Sequence, residues 1–273
     1  MKKRLSLAVV MILFGSFLIA GCGSSGSDDT NVFRVGMEAD YPPFNWTQMT
    51  ADNGGAKIDG SPEYAGGYDV EIAKRIAKGL GKELVIVKTE WDGLTPSLTS
   101  GKIDAIIAGM SPTENRKLTI DFSDNYYESD LVIVVKSGSE YENATSIQDF
   151  SGAKITAQLN TFHYEVIDQI NGVVKETAMD NFPAMRVALQ SGFIDGYVSE
   201  RPEGVSAESA NKDFKMVEFR EGFITSPDDT SIAVGVKKDS PLTAKINEIL
   251  KGISAEERLR IMDDAIKNQP TSN

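Results

Sequence analysis

The chain has few of the residues on which catalytic and metal sites depend. Its 273 residues include one cysteine and one histidine. A single cysteine excludes an internal disulfide, and the histidine, His163, has no metal-ligand cluster beside it. No Ser-His-Asp arrangement and no phosphate-binding glycine loop are present. We therefore predict no catalytic residues, no metal site and no cofactor, and we expect His163 at a partly exposed helix position.

Positive charge is also scarce. Lysine and arginine number 28 against 40 acidic residues, so the formal net charge is −12. Loss of Lys2, Lys3 and Arg4 with a cleaved leader would lower the charge to about −15. A chain this acidic is not expected to bind nucleic acid. The excess of acidic residues is explained by solubility, and it is also compatible with attraction of cationic ligands.

Long apolar runs are absent after the first twenty residues. The run from Leu5 to Ala20 follows three basic residues and is too short to favour a spanning helix, so it predicts an export signal. Ile19-Ala20-Gly21-Cys22 resembles the lipobox of bacterial lipoproteins. We predict a lipoprotein signal over residues 1–21, lipidation of Cys22 and a flexible tether over residues 22–30, which anchor the protein outside the cytoplasm. The alternative is an ordinary signal peptide with a chance cysteine.

The rest of the chain alternates strand and helix patterns. Val32 to Met37 and Leu84 to Val87 have the pattern of strands, and Tyr68 to Leu80 that of an amphipathic helix ending at Gly81. This order predicts an α/β fold that begins near residue 31. The stretch from Thr47 to Gly67 is rich in Asn, Asp and Gly, and it is compatible with either a long loop or a hairpin.

One segment of the chain has an internal counterpart. Leu98 to Ile107 (LTSGKIDAII) is matched by Leu189 to Val198 (LQSGFIDGYV), and each copy has the pattern of a helix end, a Ser-Gly turn and a short buried strand. Chance is one explanation; two α/β lobes of similar construction is the other. Ligands bind beyond the carboxyl ends of such strands. There the first copy offers hydroxyls and Arg116, and the second offers Glu200, a pairing that suits a zwitterion.

A set of short motifs then occurs in a fixed order. They are Tyr41-Pro-Pro-Phe44, Gly67-Tyr-Asp69, Trp91-Asp-Gly-Leu-Thr-Pro96, Ser100-Gly-Lys-Ile-Asp-Ala105, Met110-Ser-Pro-Thr-Glu-Asn-Arg116 and Asp121-Phe-Ser-Asp-Asn-Tyr-Tyr127. Each is weak alone, but the ordered set, within about residues 32–261, closely resembles the polar amino acid binding proteins of ABC importers. That group includes the lysine-arginine-ornithine, histidine and glutamine binders.

The resemblance implies a two-lobed periplasmic-binding-protein fold of type II that closes around its ligand. The first lobe would comprise residues 31–127 and 231–273, and the second residues 128–230. The hinge would lie near residues 126–130 and 225–230. The implied partners are a free amino acid and the permease and ATPase subunits of an importer. We expect a monomer.

The resemblance also assigns the groups that hold the ligand backbone. Arg116 would pair with the α-carboxylate, which suits a planar guanidinium because it can donate two parallel hydrogen bonds. Ser111 would add a hydroxyl from the first lobe and Thr161 a donor from the second. Glu200 stands where the family has an Asp that contacts the α-amino group, so the charge is kept but the side chain is longer.

The side chain of the ligand would lie between aromatic walls. Tyr41 and Trp91 match positions whose rings sandwich it, which suits an aliphatic stem or a flat cation. Glu38 matches an acidic position that contacts distal groups in the cationic amino acid binders, with Asp40 close by and Gln158 opposite. This favours arginine, followed by lysine, ornithine and histidine.

Two places depart from the family pattern. Ala108, which precedes the ligand residue Gly109, replaces a small hydroxyl residue of some relatives and can offer only its backbone. Asn160-Thr161-Phe162 stands where Gly-Thr-Thr is more usual.

Two other functions remain open on the same architecture. One is an enzyme similar to the cyclic acid dehydratases, with Glu38 and Glu200 as an acid-base pair. The other is a receptor subunit that senses the ligand and signals through a partner.

Overall fold

The computed structural model describes residues 31–270. The predicted signal, the lipidation site Cys22 and the tether lie outside these residues. Among the described residues, no helix combines the length and apolar character needed to cross a membrane.

The described chain is a mixed α/β structure. The strands are β1 (Val32–Met37), β2 (Asp40–Tyr41), β3 (Asn45–Gln48), β4 (Ala56–Lys57), β5 (Tyr64–Gly66), β6 (Glu83–Lys88), β7 (Ala105–Ile106), β8 (Ile120–Glu128), β9 (Leu131–Lys136), β10 (Lys154–Thr156), β11 (Val174–Lys175), β12 (Gly196–Glu200), β13 (Phe214–Val217) and β14 (Ser231–Lys237). The helices are α1 (Tyr68–Leu80), α2 (Trp91–Ser100), α3 (Glu114–Lys117), α4 (Phe162–Val166), α5 (Phe182–Ser191), α6 (Arg201–Ala210), α7 (Leu242–Lys251) and α8 (Ala255–Asn268).

The strands and the helix predicted from the first part of the sequence are confirmed. β1 and α1 have the predicted bounds, and β6 extends the predicted strand by one residue at each end. α1 ends because Gly81 adopts a left-handed conformation, with φ at 67°, which glycine reaches without steric cost. The stretch between Thr47 and Gly67 forms antiparallel strands, since β3 and β4 both pair with β5.

Two five-stranded sheets define the two lobes of the fold. The sheet of the first lobe has the order β6-β1-β7-β14-β8, and that of the second has the order β11-β10-β12-β9-β13. In each sheet three neighbouring strands are parallel, and the fourth strand is antiparallel to both of its neighbours. The fold is thus the predicted two-lobed α/β architecture.

The internal match in the sequence corresponds to a helix–glycine–strand connection, called the joint below, that occurs once in each lobe. α2 and α5 both end at a glycine with positive φ, Gly101 at 84° and Gly192 at 77°. A buried strand follows in each case. Asp104 then accepts a hydrogen bond from the backbone N–H of Arg34 at 2.8 Å, and Asp195 accepts one from the N–H of Lys154 at 2.8 Å. The two carboxylates thus link the starts of β7 and β12 to the neighbouring strands β1 and β10 in the same way. The resemblance between the two copies therefore has a structural basis.

The chain passes between the sheets twice. β8 ends at Glu128 in the first sheet and β9 begins at Leu131 in the second, and the chain returns before β14. The backbone N–H of Ser129 donates to the carbonyl of Thr230 at 3.0 Å, so the two crossings lie side by side. On another face, the side chain of Gln269, just beyond α8, pairs with Ser206 on α6.

Candidate functional site

A small cavity lies between the two lobes. Together with the open solvent at its mouth, it comprises about 260 Å³. It is lined by Tyr41, Trp91, Gly109, Ser111, Arg116, Gln158, Thr161, Phe162, His163, Phe182 and Glu200. Eight of the ten ligand residues expected from the sequence are in this set. The other two, Glu38 and Ala108, are buried beside it.

The loop after β7 and the short helix α3 that follows it bring three of the expected residues to the cavity. Gly109 has φ at +61°, and a Cβ there would lie 2.7 Å from the Tyr41 ring, so only glycine fits at this position. Ser111 is buried. Its carbonyl accepts a hydrogen bond from Nη1 of Arg116 at 2.9 Å, which orients the guanidinium.

Arg116 is the cation that the first lobe contributes to the cavity. Its guanidinium carbon lies 5.0 Å from the centre of the Trp91 ring, a cation–π distance. Its Nη2 donates to the carbonyl of Asn160 in the second lobe at 3.3 Å. Burial lowers the pKa of Arg116 to about 10, while Glu165 and Asp229 oppose that shift. The group therefore stays charged at neutral pH.

Glu200 is the carboxyl group that the second lobe contributes to the cavity. It is the last residue of β12 and is 2% exposed. The hydroxyl of Tyr41 donates to its Oε2 across the cleft, and its Oε1 lies 3.0 Å from Nε2 of His163. Burial raises the pKa of Glu200 to about 8, and Glu203 raises it further. The carboxyl is therefore mostly protonated at pH 7 in this arrangement.

A second buried carboxyl lies at the other side of the cleft. Oε1 of Glu38 accepts a hydrogen bond from Nε2 of Gln158 at 2.9 Å, which links the lobes. Burial raises the pKa of Glu38 to about 8; the bond from Gln158 lowers it, and Asp40, Glu90 and Asp92 raise it. The environment thus disfavours a negative charge on Glu38 unless a cation approaches.

Asn160 explains one departure from the family pattern. Its φ is 56°, a left-handed value that favours glycine and that asparagine tolerates better than most residues. The asparagine adds a contact that glycine could not make, because its Nδ2 donates to Oδ1 of Asp92 at 2.8 Å. Thr161 follows, and its hydroxyl donates to the carbonyl of Gln158 at 2.7 Å.

Asp69 supports the site from behind. It is fully buried and accepts hydrogen bonds from Asn45 at 2.8 Å and from the Tyr126 hydroxyl at 2.7 Å. Burial raises the pKa of Asp69 to about 6, and the bonds from Tyr126, Asn45 and the backbone of Gly109 lower it. The carboxyl thereby connects the start of α1 to β8 and to the loop that carries Gly109.

His163 lies in a helix, as expected, but the expected partial exposure was wrong. The residue is 5% exposed and lines the cavity. The short helix α4 buries Phe162, His163 and Val166, so its first turn faces inward. Partial exposure was expected because no catalytic or metal-ligand residues accompany the histidine in the sequence; Glu200 reaches it only in the folded structure.

Phe182 was also missed, although the sequence contained a signal for it. The ring of Tyr41 stacks on that of Phe182, with centroids 4.2 Å apart and planes 10° apart. Phe182 is the first residue of α5 as Trp91 is the first of α2. Both rings line the cavity. Extending the internal match by seven residues towards the N-terminus would have paired Phe182 with Trp91.

Comparisons with known proteins agree with this architecture. The model of the family described as bacterial extracellular solute-binding proteins, family 3, matches residues 33–265. The arginine-binding extracellular protein ArtP of Bacillus subtilis is 29% identical, over 92% of this chain and 92% of its own length. The ABC transporter glutamine-binding protein GlnH of the same organism is 30% identical over 99% of both chains.

A solved structure has a similar fold. The amino acid ABC transporter substrate-binding protein AbpA from Streptococcus pneumoniae, in a crystal structure bound to L-arginine, superposes with a TM-score of 0.75. It is 26% identical to this chain, and the superposition covers 88% of this chain and 96% of the other.

Proposed function

The chain belongs to the bacterial extracellular solute-binding proteins, family 3, and from that premise we propose that it captures a polar, cationic amino acid for an ABC importer. Arginine is the first candidate, followed by lysine, ornithine and histidine. The relatives described above are named as an arginine-binding extracellular protein and as the glutamine-binding protein of an ABC transporter, and we propose no catalytic step.

The observation that carries the proposal is the pair of ionisable groups in one cavity. Arg116 enters it from the first lobe and Glu200 from the second. A guanidinium suits an α-carboxylate and a carboxylate suits an α-ammonium. Because one group comes from each lobe, a bound zwitterion would contact both, and it would thereby favour the closed form over an open one.

The preference for a cation is supported by the surroundings of Glu38. This carboxyl is 4% exposed, and Asp40, Glu90 and Asp92 all make its ionisation harder. A distal guanidinium or ammonium group would offset that repulsion, whereas a neutral amide would not. The flat Trp91 ring beside the cavity suits a guanidinium as well.

The remaining site residues have complementary roles in the proposal. Tyr41 and Trp91 would hold the ligand side chain, and Gln158 would face the distal end of that side chain. Ser111 would donate from its hydroxyl to the ligand carboxylate, and Thr161, whose hydroxyl already donates to the carbonyl of Gln158, would donate from its backbone N–H. Backbone groups at Ala108 and Gly109 would complete the site.

We further propose the boundaries and the attachment of the protein. The first lobe comprises residues 31–127 and 231–273, and the second residues 128–230; the change of sheet between β8 and β9 supports this division. Cys22 carries the lipid anchor, so that a monomer held at the outer face of the cell membrane delivers its ligand to the permease and ATPase subunits.

A ligand screen tests the proposal. Thermal shift against the twenty amino acids, ornithine, citrulline and glutathione, followed by calorimetry, should give the largest stabilisation with arginine. The expected Kd is micromolar or tighter, which corresponds to about 8 kcal/mol or more. Saturable binding of glutathione alone, or of no compound, would contradict the proposal.

The choice of side chain has a separate test. Glu38→Gln keeps a partner for Gln158 but removes the charge, so arginine affinity should fall roughly tenfold while glutamine affinity changes little. Equal losses for both ligands, measured by calorimetry, would contradict the assignment of Glu38 to the distal group. Glu63→Gln is a matched control because Glu63 lies outside the cavity.

A further inference from the structure

We propose that His163 is a further ligand-site residue, which takes the proton from the carboxyl of Glu200 when the ammonium group of the amino acid binds there. The inference rests on the proposed function. It adds the one histidine of the chain to the site and makes recognition of the ammonium group a proton-transfer event.

The geometry places the ring of His163 beside the carboxyl oxygen of Glu200 that Tyr41 does not contact. Nε2 of His163 lies 3.0 Å from Oε1 of Glu200, and both residues are at least nine-tenths buried. Within residues 31–270, Nδ1 of His163 makes no hydrogen bond, and Nε2 makes none apart from its ion-pair contact with Glu200. An unsatisfied buried polar group costs about 1–3 kcal/mol, and such groups are rare enough to call for an explanation. Exchange of a proton with Glu200 provides one.

The charges around the pair decide where the proton lies before binding. Tyr41 and Glu203 face Glu200, Arg116 faces His163, and Glu165 and Asp229 face Arg116. Burial lowers the pKa of His163 to about 3, and Arg116 adds to this effect. With the pKa of Glu200 raised to about 8, the carboxyl holds the proton at pH 7 and the ring is neutral.

A bound zwitterion changes both sides of this balance. Its ammonium group favours the ionised form of Glu200, and the ionised carboxylate, 3.0 Å from Nε2 of His163, then favours the imidazolium against the effect of burial. The ligand carboxylate also offsets the smaller effect of Arg116 on His163. The O–H bond of Glu200 then breaks and an N–H bond forms on Nε2 of His163. The proton stays within the site, so no other donor or acceptor is required.

The transfer has a consequence for pH dependence. If the proton moves to His163, the affinity should vary little between pH 6 and pH 8. If His163 is replaced by a group that cannot accept a proton, Glu200 must lose it to solvent. Affinity would then rise with pH, by roughly tenfold per unit below the pKa of Glu200.

The sole histidine makes the first experiment direct. Protein with ¹³C-labelled histidine should show one Cε1–H signal, recorded at pH 7 with and without saturating L-arginine. We expect the chemical shift of a neutral ring in the free protein and of an imidazolium in the complex. A ring that stays neutral in the saturated complex would overturn the inference.

Calorimetry in two buffers counts the protons. In phosphate and in Tris at pH 7, the wild type should release no proton on binding L-arginine, and His163→Gln should release about one. Tyr164→Phe is the matched control, because its hydroxyl donates to the carbonyl of Glu176 at 3.0 Å and does not line the cavity; it should behave as the wild type.

Failure of the role proposed for His163 and failure of the proposed function would give different results. Release of one proton by both the wild type and His163→Gln, with normal saturation, would overturn the role of His163 and leave the proposed function intact. Absence of saturable heat with every amino acid would overturn the proposed function itself.

Discussion

The two lobes share a joint and differ in the charge that they bring to the cleft. Asp104 and Asp195 fasten equivalent strand ends at the same distance of 2.8 Å, and Trp91 and Phe182 begin equivalent helices. Beyond the joint of the first lobe, the chain continues through the loop that contains Gly109 to Arg116 on α3. In the second lobe, β12 ends directly at Glu200. Similar scaffolds therefore carry different chemistry, because the site residues follow the repeated segment.

The two charged groups also differ in their state. Arg116 remains charged at pH 7 with its pKa near 10, while Glu200, with its pKa near 8, is mostly neutral. Both shifts arise from burial, which disfavours the charged form of either group. The guanidinium starts so far from neutrality that burial cannot discharge it, whereas the carboxyl must be ionised during binding.

The largest expected effect separates the two lobes most clearly. Arg116→Ala should weaken L-arginine binding by more than about 100-fold, because the ligand carboxylate would be buried without its partner. Calorimetry measures this, with Lys117→Ala as control, since Lys117 pairs with Glu114 and Asp228 outside the cavity. Near-normal affinity of Arg116→Ala would remove Arg116 from the site.

The corresponding change in the second lobe should cost less. Glu200→Gln keeps the size of the side chain but cannot become an anion, and we expect a loss of roughly 10- to 30-fold. The loss is smaller because the wild type must first ionise Glu200. Arg201→Gln is the neighbouring control, as Arg201 pairs with Glu218 at the surface. A loss equal to that of Arg116→Ala would contradict the asymmetry between the lobes.

The shared joint can be tested by paired substitutions. Asp104→Ala should lower the free energy of unfolding by about 1–2 kcal/mol and Asp195→Ala by about 0.5–1 kcal/mol, because each leaves a backbone N–H without its acceptor and the N–H of Lys154 is the more exposed of the two. Urea denaturation measures the loss. Affinity for L-arginine should not change; a large drop in affinity from either substitution, or stability losses that differ greatly, would break the equivalence of the joints.

The smallest effect concerns the link at Asn160. Asn160→Gly removes the bond to Asp92 but suits the backbone conformation, so stability should change by no more than about 0.5 kcal/mol. Ligand dissociation, followed by stopped flow, should accelerate by at most about threefold. Asn53→Gly, at a similar φ of 53° in the first lobe, is the control. A dissociation rate slower than that of the wild type would show that the side chain opposes closure.

More of the cavity lining could be predicted from the sequence in the first lobe than in the second. Tyr41, Trp91, Ser111 and Arg116 lie in motifs that follow one another closely, and all line the cavity. Phe162 and His163 lie where the family pattern is broken, so no motif pointed to them. Their roles depend on the side that α4 turns towards the cleft, and a helix of five residues is too short for periodicity to reveal it.

The alternation of strand and helix, the glycine-ended helices and the repeated joint were determined by the sequence alone, because local backbone preferences and apolar patterning act over a few residues. The pairing of Tyr41 with Glu200, of Glu38 with Gln158 and of His163 with Glu200 was decided by the tertiary structure. These partners are far apart in the chain, and their protonation depends on burial, which exists only when the lobes meet.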